Sequence, residues 1–217
     1  MFSKFRDPVS GLTHLLGALL SVAGLVSLLW VAVKQGSIWH VVSFAIFGVS
    51  MILLYSGSAI YHLVKARDQV IKALRRVDHM LIFVLIAGTY TPFCLVPLRG
   101  PWGFGLLAGI WGIGILGMVF AILWVDAPRW LTTGIYLAMG WAIVIAGFPL
   151  VKLLSPSALT WLAIGGLFYS VGAIIYATKR PNLIPGVFGF HEIWHLFVMA
   201  GTFSHFWTVF RYIPGLQ

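Results

Sequence analysis

The chain has 217 residues, of which 60% are hydrophobic and 9% charged, with a mean hydropathy of +0.99. Soluble domains carry about 25% charged residues, so this composition excludes a water-soluble globular protein and points to an integral membrane protein. A formal net charge of +9 would suggest nucleic acid on a soluble chain, but the basic residues sit in short loops between apolar runs, which argues against that partner. One cysteine, Cys94, rules out an intrachain disulfide.

Seven apolar runs are long enough to cross a hydrocarbon core, which takes about 20 residues. They cover 12–33, 40–62, 78–97, 102–125, 130–151, 158–178 and 188–210. The first run follows Lys4 and Arg6 but is too long for a signal-peptide core, so it is read as a span. Breaks such as Lys34-Gln35-Gly36 and Ser155-Pro156 separate the runs. Residues 1–217 are therefore expected to form one all-α domain, a bundle of seven transmembrane helices. Segment 65–77 alternates basic residues (Lys65, Arg67, Lys72, Arg75, Arg76) with Val70, Ile71, Leu74 and Val77, which predicts a short interfacial helix on anionic headgroups. Pro92 predicts a kink near mid-membrane in the third span. Gly105 and Gly109 form G-x-x-x-G, which predicts close packing within the bundle or in a homodimer.

With the N-terminus cytoplasmic, Lys4, Arg6, Lys65, Arg67, Lys72, Arg75, Arg76, Arg129, Lys179 and Arg180 fall inside; Lys34, Arg99, Lys152 and Arg211 fall outside. The positive-inside rule thus predicts a cytoplasmic N-terminus and an external C-terminus. That orientation carries His62, Asp78, His191 and His195 to one membrane depth.

His191 and His195 stand four apart, one turn of helix, so both imidazoles can reach one metal ion. His62 supplies a third nitrogen. Three histidines with a fourth position open to water is the pattern of catalytic zinc. Asp78 is placed to accept a proton from that water or to orient it. Ser58, one turn before His62, is placed to bond a substrate carbonyl or the water. The rival reading, isolated polar residues bonding to backbone carbonyls, does not account for four such groups at one depth. Glu192 completes H-E-x-x-H, the metalloprotease helix; an intramembrane protease would need an aspartate on another span as third ligand, a part open to Asp78, but no Asp-Gly stands near Asn182-Leu183-Ile184-Pro185 and the protease reading is disfavoured. His14, near the inner end of the first span, could approach the site but is read as interfacial, as is His79; His40 falls at the outer face, far from any inner site, and His205, about 15 Å deeper than His195, is read as a core or cavity residue. A cytolytic pore is disfavoured because the spans are continuously apolar.

Ser58-Ala59-Ile60-Tyr61-His62, Asp78-His79, Ala87-Gly88-Thr89-Tyr90-Thr91-Pro92, Tyr136-Leu137-Ala138-Met139-Gly140-Trp141, and His191-Glu192-Ile193-Trp194-His195 with Ser204-His205 together resemble the bacterial hemolysin III proteins. These belong to the progestin and adipoQ receptor family, which includes the adiponectin receptors and is related to alkaline ceramidases. The resemblance implies a bacterial inner-membrane protein with one zinc ion near the cytoplasmic surface. It implies His62, His191 and His195 as ligands, Asp78 as the aspartate reaching zinc through water, and Ser58 as the serine of S-x-x-x-H. It implies a zinc-dependent hydrolase of a lipid amide or ester, ceramidase-like, or a non-catalytic regulator of membrane lipid state with structural zinc. The residue after the first helix 7 histidine is not fixed in the family, which argues against Glu192 as a required base. Many bacterial members carry acidic residues just before the helix 1 histidine, where this chain has Pro8-Val9-Ser10.

Overall fold

The computed structural model describes residues 5–216. It is all-helical, with α1 Pro8–Gln35, α2 Ile38–Leu63, α3 Asp68–Leu95, α4 Pro101–Leu123, α5 Arg129–Leu153, α6 Pro156–Thr178 and α7 Phe190–Tyr212. Five of these (α1, α2, α4, α5 and α6) are long and apolar enough to cross a membrane. The other two, α3 and α7, carry Asp78 and the His191–His195 pair respectively. The helices pack in chain order around a ring that closes α7 against α1. Large apolar side chains face outwards, with Leu123 79% and Phe148 75% exposed, as lipid rather than water would allow.

Two expectations change. No separate interfacial helix occupies residues 65–77. α3 runs unbroken from Asp68 through that segment, because no Gly or Pro interrupts it before Gly88 and Asp68 favours a helix start in the first turn. Pro92 accordingly falls in the last turn of a 28-residue helix rather than in the middle of a span, and its missing N–H leaves the Gly88 carbonyl without its ladder donor.

α5 is the irregular member. Its α-helical ends, Arg129–Trp141 and Gly147–Leu153, flank a 3-10 segment at Ala142–Ala146. Pro149 cannot donate to the carbonyl four residues back, Ile145, and so the ladder tightens there. α5 also packs least closely against its neighbours, and a cavity opens between it and α3, α6 and α7.

Glycines divide by role. A Cβ on Gly48 would stand 2.9 Å from Leu25 Cβ and 3.2 Å from its Cα, at the close α1–α2 contact, whereas Gly105 and Gly109 have nothing within 4 Å. The G-x-x-x-G pair of α4 therefore packs against nothing among the described residues. Gly48→Ala is expected to lower stability by about 1–3 kcal/mol through overpacking, and Gly109→Ala to leave it unchanged or slightly raised; thermal unfolding of the detergent-solubilised protein checks both.

Candidate metal centre

The N-terminal end of α1, the C-terminal end of α2 and the N-terminal end of α7 meet at one end of the bundle. There the ligand nitrogens of His62, His191 and His195 all lie within 4.8 Å of one another. His62 Nε2 stands 3.2 Å from His191 Nε2, and ring centroids are 4.9 Å (His62–His191), 5.0 Å (His62–His195) and 4.7 Å (His191–His195) apart. Such a group can hold a metal ion.

The partners of the other ring nitrogens fix which lone pairs point inwards. His62 Nδ1 lies 3.1 Å from Asp7 Oδ2, and His195 Nδ1 lies 3.2 Å from the Ser10 carbonyl oxygen. An ionised carboxylate and a carbonyl only accept, so both Nδ1 atoms carry the proton and both Nε2 atoms present lone pairs. Carboxylates and carbonyls behind the ligands are what orient histidines in metal sites. His62 and Arg6 together hold the Asp7 carboxyl down to about 2, so Asp7 is ionised at any physiological pH. Its backbone N–H also donates to the His62 carbonyl, at 2.9 Å.

Local structure seats α7. A tight turn pairs Ile184 with Phe188 around Gly186, whose φ of +77° suits glycine. Glu192 is committed to this junction: Oε2 accepts from Gly189 N at 2.8 Å and Oε1 from Ser10 Oγ at 2.7 Å. A carboxylate holding α1 to α7 in this way is a brace, in keeping with its not being a required base.

His14 is not interfacial. It is 3% exposed, stacked on His195 with centroids 3.6 Å apart and planes 9° from parallel, and its ring nitrogens have no hydrogen-bond partner among the described residues. His40 lies far from the cluster, its Nε2 at 3.3 Å from the Ile213 carbonyl.

Ser58, Asp78, His79, His191 and His195 all line the cavity, of about 540 Å³, which runs down to His205. Asp78 lies outside the three-nitrogen group and faces the same space. His205 Nε2 bonds the Leu162 carbonyl at 3.3 Å. Between the cluster and His205, Tyr55 donates to Thr202 Oγ1 at 2.8 Å, and Tyr169 lies 2.7 Å from the same oxygen. Val144 and Val151 of α5 line the cavity and are each 64% exposed, so the chamber reaches the lipid-facing surface along α5.

Residues 2–206 match the family model described as Haemolysin-III related. The chain belongs to the haemolysin III family. It is 44% identical over 215 residues to the Hemolysin-3 homolog of Bacillus subtilis (strain 168), covering 98% of this chain and 96% of the relative. It is 42% identical over 208 residues to Hemolysin-3 of Bacillus cereus, covering 96% and 92%. A human protein, monocyte to macrophage differentiation factor, is 24% identical over 179 residues, covering 81% of this chain and 72% of its own length. Family, bacterial relatives and long apolar helices make this haemolysin III protein a multi-pass protein of the bacterial cell membrane.

Among these residues the sequence singles out the three histidines, Ser58 and Asp78 but not Asp7 or Ser10, and it favours an interfacial place for His14. Asp7 was visible as an acidic residue one helical turn before Gly11, just outside the first span.

About one metal ion per chain is expected in the purified protein. His62→Ala, His191→Ala and His195→Ala each remove it, and Asp7→Asn weakens binding about 10- to 100-fold. Metal analysis and competition with a chelator of known affinity measure both.

Proposed function

We propose that this haemolysin III protein is a zinc-dependent hydrolase of a lipid amide or ester at the inner leaflet. The observation that carries the reading is a three-imidazole group, two of whose rings, His191 and His195, line a largely apolar cavity together with Asp78 and Ser58. Zinc fits the donor set: metal–nitrogen bonds of about 2.0–2.1 Å in a tetrahedral site separate two nitrogens by roughly 3.3 Å, against 3.2 Å between His62 and His191. Zinc so held would supply Lewis acidity and an acidified water. Asp7 and the Ser10 carbonyl keep the His62 and His195 lone pairs aimed at one point. Asp78 takes the proton from the attacking water and returns it to the leaving group. Ser58 donates its hydroxyl to the substrate carbonyl, and the apolar walls hold the acyl chain and exclude bulk water.

The orientation proposed here puts seven spans across the membrane, the N-terminus and the metal end in the cytoplasm, and the C-terminus outside, with the basic start of α3 against anionic headgroups. The excess of Lys and Arg at that end supports it. A C-terminal alkaline phosphatase fusion is expected to be active and a C-terminal green fluorescent protein fusion dark; the reverse result inverts the topology.

One observation supports a second reading, a structural metal in a non-catalytic regulator of membrane lipid state. α2 and α7 share few contacts apart from this cluster, so an ion there would staple them. The two readings separate on one variant. For a hydrolase, Asp78→Asn keeps the metal and lowers lipid turnover by about 100- to 10,000-fold, and Ser58→Ala lowers it less. For a staple, Asp78→Asn is silent, no ceramide, acyl-amide, phospholipid or lysolipid turns over, and metal removal lowers the thermal midpoint.

A further inference from the structure

The metal group has a second approach that the proposed reaction does not use. Two of its rings are closed off, His62 being 3% and His195 2% exposed, whereas His191 is half-buried. His191 is also the one ligand that lines two cavities. The first is the apolar chamber described above. The second, also of about 540 Å³, is formed by the turn that leads into α7. Asn182, Val187 and Glu192 line it, together with Gly186 and Gly189, which cover no backbone with a side chain.

The two cavities differ in what they can pass. A divalent cation taken out of water into apolar walls pays a large desolvation cost, and the chamber is largely apolar. Its charged lining residues are Arg75, Arg129 and Asp78. Even with Arg75 answered by Asp126 at 2.7 Å, Arg129 stands against Asp78, so the chamber offers a cation no net attraction. The second cavity has a carboxylate and no lining cation, since the exposed Lys179 and Arg180 stand outside it. Glu192 Oε2 accepts from Gly189 N and Oε1 from Ser10 Oγ. Each carboxylate oxygen has two lone pairs, so each keeps one for a passing ion, and a carboxylate oxygen is itself a zinc ligand. Asn182 Oδ1, which accepts from Phe190 N at 3.3 Å, adds a neutral oxygen. Glu192 adjoins His191 in the chain, so an ion held by the carboxylate is one step from its first imidazole.

We propose that this second cavity is the port through which a divalent metal ion enters and leaves the histidine group, with the Glu192 carboxylate as its transient ligand. The port rests on the histidine group holding a metal, and not on hydrolysis. It separates the path of the ion, which comes from water, from the chamber, which opens along α5 towards lipid.

The rates of zinc uptake by the metal-free full chain and of zinc release to excess chelator, in a detergent with an uncharged headgroup, test this. Val187 and Ile184 line the port and are 57% and 55% exposed, so Val187→Trp and Ile184→Trp narrow it without disturbing buried packing. Narrowing an access route raises one barrier for both directions. Uptake and release are therefore expected to slow by the same factor, about ten-fold or more, with the affinity unchanged. Val151→Trp, which crowds the chamber at a residue 64% exposed, is expected to leave both rates as they are. Glu192→Gln keeps an acceptor for Gly189 N and a donor for Ser10 Oγ but loses the charge, and it is expected to slow uptake. Thermal midpoints verify that the variants are folded. Unaltered rates in both port variants overturn the assignment, as does equal slowing by Val151→Trp. A shift in affinity in place of a matched change in rates gives Val187 and Ile184 a structural part and overturns it too. Unaltered uptake in Glu192→Gln overturns the part given to the carboxylate. Failure of the unmodified protein to take up zinc overturns the metal-site reading itself, whereas absence of lipid turnover with the matched slowing intact sinks only the hydrolase.

Discussion

Three imidazole nitrogens drawn to within 4.8 Å of one another at one end of an apolar bundle are the constraint around which the other features arrange themselves. Neutral imidazoles gain little from facing one another, and the lone pairs of His62 and His195 point inwards because Asp7 and the Ser10 carbonyl hold their protons from behind. Bringing the rings together then fixes much else. The start of α1 must lie across the ends of α2 and α7, Glu192 must brace it there, and α7 must begin at the depth where α2 ends. The packing of α1 against both α2 and α7 is the structural expression of that requirement.

The cavity follows from the same geometry on its other side. Where α1, α2 and α7 close around the rings, α5 stands off, and its 3-10 segment leaves a chamber between itself, α3 and α6. The chamber is apolar for most of its length and polar at two levels: at the mouth, where Asp78, Ser58 and two arginines gather, and lower down, where Tyr169 and His205 line it. The two polar levels are thereby separated along the length of the bundle by apolar wall.

Much of this was legible in the sequence, and what was not has physical causes. Apolar runs of the right length announced each helix to within a few residues except α3, whose charged first turns broke the run without breaking the helix. The histidine triad was legible because ionisable residues in apolar segments are few, and the alternation of direction brings the ends of spans together. Asp7 escaped because it lies before the span, where a lone acid looks like any flanking residue. Ser10 escaped because what it gives His195 is a backbone carbonyl, which no side-chain pattern encodes, and because its hydroxyl's partner, Glu192, lies 182 positions away. His14 was read as interfacial from its position near a helix end, but stacking on His195 buries it. The 3-10 segment had a local sign in Pro149, legible only once its missing donor is traced to the carbonyl one turn earlier.

The link between Ser10 and α7 has a consequence for biosynthesis. Ser10 and Glu192 are 182 positions apart, and Ser10 and His195 are 185 apart. Nearly the whole chain must therefore leave the ribosome before its first helix finds its final contacts. Until then His62 waits at the end of α2 with Asp7 beside it and two of three ligands still unmade. Such contacts between chain ends form late in folding because their loop closure must be met before anything rewards it. Metal capture would then act as a proofreading step on translation, since a truncated or misinserted chain lacking the last helix has no complete site to fill.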